Sequence, residues 1–218
     1  MAKQFDLIVF DWDGTLMDSA AAIVTAIQAA SRDLGLSVPT DRQARYVIGL
    51  GLADALHHAV PDLPRERYEE MVERYRYHYL SRDHELTLFG GIPELMAELQ
   101  DAGYALAVAT GKSRLGLNRA LAVSGLEDFF HATRCADECH SKPHPQMLQE
   151  LMEEFAVPPG RTLMIGDTTH DLQMAANAGT GAIGVTYGAH VPEELKALGP
   201  LAVVDAVEEL GTWLRRHG

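Results

Sequence analysis

Short apolar runs rich in β-branched residues alternate along the chain with longer stretches in which apolar residues recur every three or four positions. The runs are LIVF (Leu7 to Phe10), ALAVAT (Ala105 to Thr110), TLMIG (Thr162 to Gly166), AIGVTY (Ala182 to Tyr187) and LAVV (Leu201 to Val204), with ATRCA (Ala132 to Ala136) a weaker sixth. Brief, nearly continuous apolar runs separated by helical periods are the mark of parallel strands buried on both faces. The pattern predicts an α/β fold with a doubly wound, Rossmann-like parallel β-sheet covered by helices on either side.

Between Asp18 and Leu88 the rhythm changes to helix alone: AAAIVTAIQAASRDLG, DRQARYVIG, LADALHHAV and PRERYEEMVERYRYHYL, separated by Pro39, Gly49, Gly51, Pro61 and Pro64. The spacing predicts a helical insertion after the first strand, with Asp18 and Ser19 placed to cap its first helix. It divides the chain into an α/β core, residues 1–17 and 89–218, and a helical block, residues 18–88. Tyr68, Met71, Val72, Tyr75 and Tyr79 follow helical spacing and read as a packing stripe. His84 to Leu88 fits neither period. The sheet pattern resumes after IPELMAELQDAG, where Pro93 suits a first helical turn and Gly103 an exit.

With 218 residues and 47% hydrophobic content, the chain can bury a large core as one domain with an insertion or as two domains. The formal net charge of -13 has the wrong sign for a nucleic acid backbone or an anionic membrane surface, so a small molecule is the expected partner. Cys135 and Cys139 are too few for a disulfide framework. The start MAKQFDLIVF has too short an apolar run for a signal peptide, and no window reaches the length of a membrane helix. These features predict a reducing, cytoplasmic setting.

Three strong runs end on, or are followed by, a polar residue: Asp11, Thr110 and Asp167. Ligands of open parallel sheets bind outside the carboxyl ends of the strands, so the three should converge on one crevice, although polar residues also simply mark strand ends. Asp11 and Asp13, two positions apart, face one way while the backbone is extended, and such a pair persists when a cation or a shared proton relieves its repulsion. Gly14 then lets main-chain N–H groups approach an anion. A plain D-x-D-G turn is the competing reading. TGKSR (Thr110 to Arg114) sets a hydroxyl, the Gly111 amide and Lys112 after a strand, a composition suited to phosphoryl oxygens. Lys142 precedes a proline in SKPHP and is otherwise an ordinary loop lysine. GDTTHD places Asp171 one helical turn after Asp167, with helix capping the alternative use of Asp167. The G-x-G-x-x-G of AGTGAIG precedes a strand instead of following one and is no dinucleotide fingerprint. Cys135, Cys139, His140 and His144 match no zinc spacing.

Taken in order, DxDGT, TGK, KP and GDxxxD resemble the haloacid dehalogenase superfamily over essentially the whole chain, and are nearest in pattern to its phosphoglycolate phosphatase-like group. The resemblance implies that the helical block is that family's inserted cap domain, and that the activity is hydrolysis of a small phosphorylated metabolite through an aspartyl-phosphate. It casts Asp11 as nucleophile and Asp13 as general acid and base. It gives Mg2+ to Asp11, the main-chain carbonyl of Asp13 and Asp167, with Asp171 helping to fix the site. Gly14, Thr110, Gly111 and, with less support, Lys112 bind phosphate, while Lys142 offsets charge. Arg45, Gly49 and Gly51 lie where such caps supply substrate contacts. The same motifs serve phosphosugar mutases. A metal-independent haloacid dehalogenase needs only an aspartate like Asp11, and a catalytically idle binding module on this fold is the alternative outside enzymes.

Overall fold

All six apolar runs join one parallel sheet. In the computed structural model, which describes residues 3–217, the elements run β1 (Leu7–Phe10), α1 (Ala20–Asp33), α2 (Asp41–Tyr46), α3 (Leu52–Ala59), α4 (Tyr68–Leu80), α5 (Ile92–Asp101), β2 (Ala105–Thr110), α6 (Arg114–Ser124), β3 (Ala132–Cys135), α7 (Gln146–Phe155), β4 (Thr162–Gly166), α8 (Thr169–Ala178), β5 (Gly181–Val185), α9 (Pro192–Lys196), β6 (Ala202–Val204) and α10 (Val207–His217). The strand order is β3-β2-β1-β4-β5-β6. Successive strand residues point to opposite faces. Ile8 and Phe10 therefore pack with Ile92, Leu117 and Leu210 of α5, α6 and α10, whereas Leu7 and Val9 pack with Leu148 and Leu172 of α7 and α8. Both layers are helical, which is why the strands read as unbroken apolar runs.

Helices α1 to α4 bury a separate cluster that includes Ile27, Ala44, Leu56 and Met71, with Tyr68, Val72, Tyr75 and Tyr79 packed against it. The chain enters and leaves this block side by side. Met17 pairs with Leu88 in an antiparallel bridge, and the Asp18 and Phe89 amides donate to Thr87 and Leu16 at 2.9 and 3.0 Å. The stretch His84 to Leu88 thus supplies the return segment beside the entry. Its irregular composition reflects that short pairing. Residues 1, 2 and 218, the outermost of the division drawn from the sequence, lie outside the described residues. Among the described residues no helix is long and apolar enough to cross a membrane.

Candidate active site

Because β1 lies between β2 and β4, the strand ends carrying Asp11, Thr110 and Asp167 are neighbours. Asp11 is fully buried, and its Oδ1 accepts from the Trp12 amide at 2.7 Å and the Lys142 ammonium at 2.8 Å. Its Oδ2 is buried and has no hydrogen-bond partner. Lys142 also donates to Asp171 Oδ1 at 2.6 Å, while Asp171 Oδ2 accepts from the Thr168 amide and hydroxyl at 3.1 and 2.7 Å. That second contact belongs to a capping box. Thr168, not Asp167, is the N-cap of α8, and Asp171 closes the box from the first turn. Asp167 instead accepts from the Thr15 hydroxyl at 2.9 Å and the Ala189 amide at 2.7 Å.

Asp11, Asp167 and Asp171 offer oxygens that all lie within 4.8 Å of one another. Burial holds the Asp11 carboxyl well above the ordinary aspartate range; Lys142 opposes the shift, and Asp171 and Asp167 reinforce it. Asp167 is pushed up to about 7, first by burial and then by the charge of Asp171, against the donors from Ala189 and Thr15. On Lys142 burial disfavours the ammonium, but Asp11 and Asp171 outweigh it and keep the group charged. Three buried acids around one lysine leave negative charge in excess, which is costly away from water. A hard divalent cation with oxygen ligands, such as Mg2+, fits this donor set.

Asp13 turns away from that trio. Its Oδ1 accepts from the Ser19 hydroxyl at 2.7 Å and from Lys112 Nζ at 3.0 Å. Ser19 is the N-cap residue of α1 but makes no side-chain cap, because its hydroxyl is spent on Asp13; this corrects the capping expected of it. Lys112 also donates to the Tyr79 hydroxyl at 3.1 Å, so the last turn of the α4 stripe reaches the core. Burial lowers the affinity of Lys112 for its proton, but the Asp13 carboxylate more than reverses this. The Thr110 hydroxyl accepts from the Lys112 amide at 3.2 Å.

Two glycines permit the close approaches. Gly14, at φ +81°, lies where a Cβ would collide with the Asp167 carboxylate, and its amide donates to the Met17 main-chain oxygen at 2.8 Å, which corrects the phosphate contact expected of it. At Gly111 a Cβ would meet the main-chain oxygens of Leu50 and of Gly49, the latter at 2.6 Å, so the helical block rests directly on the second strand end. Gly51 adds to this contact by donating its amide to Ser141 Oγ at 2.9 Å, next to Lys142. Gly49 and Gly51 line the cavity between block and core, and Arg45 does not. Arg45 sits half-buried on α2, and the cations that line the cavity are Arg76 and Arg119 beside Lys112.

A clamp that no sequence motif announces lies on the far side. The neutral, buried imidazoles of His170 and His190 both reach the main-chain oxygen of Tyr46 in α2, at 2.7 and 3.1 Å. Burial lowers both pKa values, and His190 Nδ1 accepts from the Thr169 amide at 3.0 Å, which leaves its proton on Nε2 for Tyr46. His170 lies inside GDTTHD and was visible there. Its partner is a main-chain atom that no side-chain pattern could announce.

Fold and site together define a class of hydrolase built on a parallel sheet, with an acid-lined crevice at the strand ends under a helical insertion. The chain belongs to the haloacid dehalogenase-like hydrolase family, which it matches over residues 8–185. It is 39% identical to a protein of Dickeya dadantii (strain 3937) named probable phosphatase IndB, over 94% of this chain and 91% of that one. It is 32% identical to a phosphoglycolate phosphatase of Vibrio vulnificus (strain CMCP6), over 95% of each. A crystal structure of a predicted phosphoglycolate phosphatase from Haemophilus somnus 129pt superposes with a TM-score of 0.86 at 26% identity, covering 96% of this chain and 98% of that one.

Proposed function

We propose that the protein is a Mg2+-dependent phosphatase that hydrolyses a small phosphomonoester through an aspartyl-phosphate on Asp11. One observation carries the reading: of the two Asp11 oxygens, Oδ1 is pinned by Lys142 and Trp12, while Oδ2 is buried without a partner. An oriented carboxylate with one uncommitted oxygen is what a nucleophile requires. Asp11 and Asp167 would hold the metal with the Asp13 main-chain carbonyl, Asp171 helping to fix the site. When bound, the ion neutralises charge on the phosphoryl oxygens and the acids around it.

The remaining work falls to side chains. Asp11 Oδ2 attacks phosphorus and the ester P–O bond breaks. The Asp13 carboxyl gives its proton to the departing oxygen, then takes one from the water that attacks the aspartyl-phosphate, releasing inorganic phosphate and restoring Asp11. Ser19 and Lys112 fix Asp13 through Oδ1, which leaves Oδ2 for proton transfer. Lys142 stabilises negative charge on the phosphoryl group, and Asp171 aims Lys142. The Thr110 hydroxyl and the Gly111 amide bind phosphoryl oxygens. The helical block acts as the cap that excludes bulk water. Two free thiols, Cys135 and Cys139, accord with a cytoplasmic setting.

Mutants of the two acids should fail differently. Asp13→Ala lacks the leaving-group acid, which matters little for nitrophenolate, but also the base for hydrolysis. With 4-nitrophenyl phosphate and Mg2+ it should release about one nitrophenol per site and retain a phosphate adduct by intact-mass spectrometry. Asp11→Asn should form none. An adduct on Asp11→Asn, or one mapping to another residue, would overturn the assignment.

A further inference from the structure

The space between the helical block and the core is larger than a small ester needs. It measures about 960 Å³ and opens onto Asp13, Gly111 and Lys112. Pockets of roughly 300–1,000 Å³ house ligands of drug size, several times the bulk of a two-carbon acid. Its walls include Ile23, Leu52, Val72, Leu80 and Leu115, and the rings of Tyr75 and Tyr79, which lie 5.9 Å apart and within 19° of parallel. Such walls offer flat apolar surface and reward burial of a ring in proportion to its area.

The charge of the lining points the same way. Asp13, Asp54, Glu69, Glu73 and Asp137 are among the residues that line the space. Lys112 is paired with Asp13 at 3.0 Å and Arg119 with Asp83 at 2.6 Å, which leaves Asp54, Glu69, Glu73 and Asp137 against Arg76. A leaving group bearing its own carboxylate would enter a region of excess negative charge.

From size, surface and sign we infer that the physiological leaving group is an uncharged or cationic alcohol with an apolar, ring-sized body, and is not a small hydroxy acid. This inference rests on the phosphatase reading given above and specifies its substrate class. Benzyl phosphate and phosphoglycolate test it, since both release an alkoxide, so intrinsic leaving-group reactivity does not separate them as it would for a nitrophenyl ester. With Mg2+ present, kcat/KM for benzyl phosphate should exceed that for phosphoglycolate by about tenfold or more. Val72→Trp, which narrows the space, should shrink that ratio by about tenfold. The rim double variant Glu69→Gln/Glu73→Gln alters only exposed positions and should shrink it by about threefold through better use of phosphoglycolate. Equal or greater activity on phosphoglycolate, or a ratio that neither variant moves, would overturn the inference while leaving the phosphatase intact. Failure on both esters and on 4-nitrophenyl phosphate would instead bring down the phosphatase reading, and this inference with it.

Discussion

At the strand-end side of the crevice Asp11, Asp167, Asp171 and Lys142 are buried and nearly every polar atom has a partner, whereas at the side closed by α1 to α4 apolar side chains surround about 960 Å³ of space. The first region is charged, dense and held by short contacts between residues distant in sequence. The second is roomy and is shaped by how helices lean together. Under the proposed mechanism the difference separates two tasks. Bond breaking needs groups fixed to a fraction of an ångström in a dry, polarised setting, while choosing a leaving group needs only the right volume and surface. Lys112 joins the two, since it bonds Asp13 on one side and Tyr79 on the other.

If this division is right, damage to the dense end should be far the worse. Lys142→Ala should lower kcat by about 10²–10³, the scale of losing one preorganised charge at a transition state. It should also lower stability by about 3–5 kcal/mol, because Asp11 and Asp171 lose their buried counter-ion, so rates must be referred to the folded fraction. Lys142→Arg should rescue poorly, for a planar fork does not fit a site built around a point charge. Wild-type turnover by Lys142→Ala would remove the lysine from the site.

Gly111→Ala tests the seam. Its methyl would press on the Gly49 and Leu50 carbonyls and lift the helical block, with a loss of about 10- to 100-fold in kcat/KM borne mainly by KM. An unchanged KM would mean that this contact does not control closure. Tyr79→Phe removes one hydrogen bond to Lys112, worth about 1 kcal/mol, so kcat/KM should fall about fivefold. No change there would show that Asp13 is held from the core side alone.

The smallest effect concerns pH and metal. Asp167 has a folded-state pKa of about 7 against an ordinary 3.8, and Asp11 is shifted the same way, so the metal-free fold binds more protons than the unfolded chain across that interval. The stability they contribute is complete below the ordinary value and is lost as pH rises through about 7. The Tm of chelator-treated protein should therefore fall on crossing that range, by about 2–4 °C for each kcal/mol lost. Asp167→Asn should flatten the slope, and added Mg2+ should stabilise the wild type more above about pH 7 than below it. A metal-induced shift independent of pH would argue against carboxylate ligation.

Much of the dense end was legible in the sequence because it sits on the most regular part of the fold. Strand periodicity locates Asp11, Thr110 and Asp167 at strand ends, and topology then makes those ends neighbours. What the pattern does not contain is the partner of each atom. Ser19 reads as a helix cap and serves Asp13 instead, Asp171 reads as a metal acid and also steers Lys142, and Arg45 reads as a substrate contact yet lies off the cavity. Each of these differences concerns the direction of one side chain, which depends on neighbours far along the chain.

The doubly wound sheet and the run of helices after β1 follow from the chain alone, because hydrophobic periods and strand-end residues are local properties. It takes the assembled fold to leave Asp11 Oδ2 without a partner, to bring Tyr79 to Lys112, to set His170 and His190 on the Tyr46 carbonyl, and to fix how much space remains under α1 to α4. Those features depend on the relative positions of segments distant in the chain, fixed by packing and hydrogen bonds between residues up to 144 positions apart, and no local period encodes such a distance.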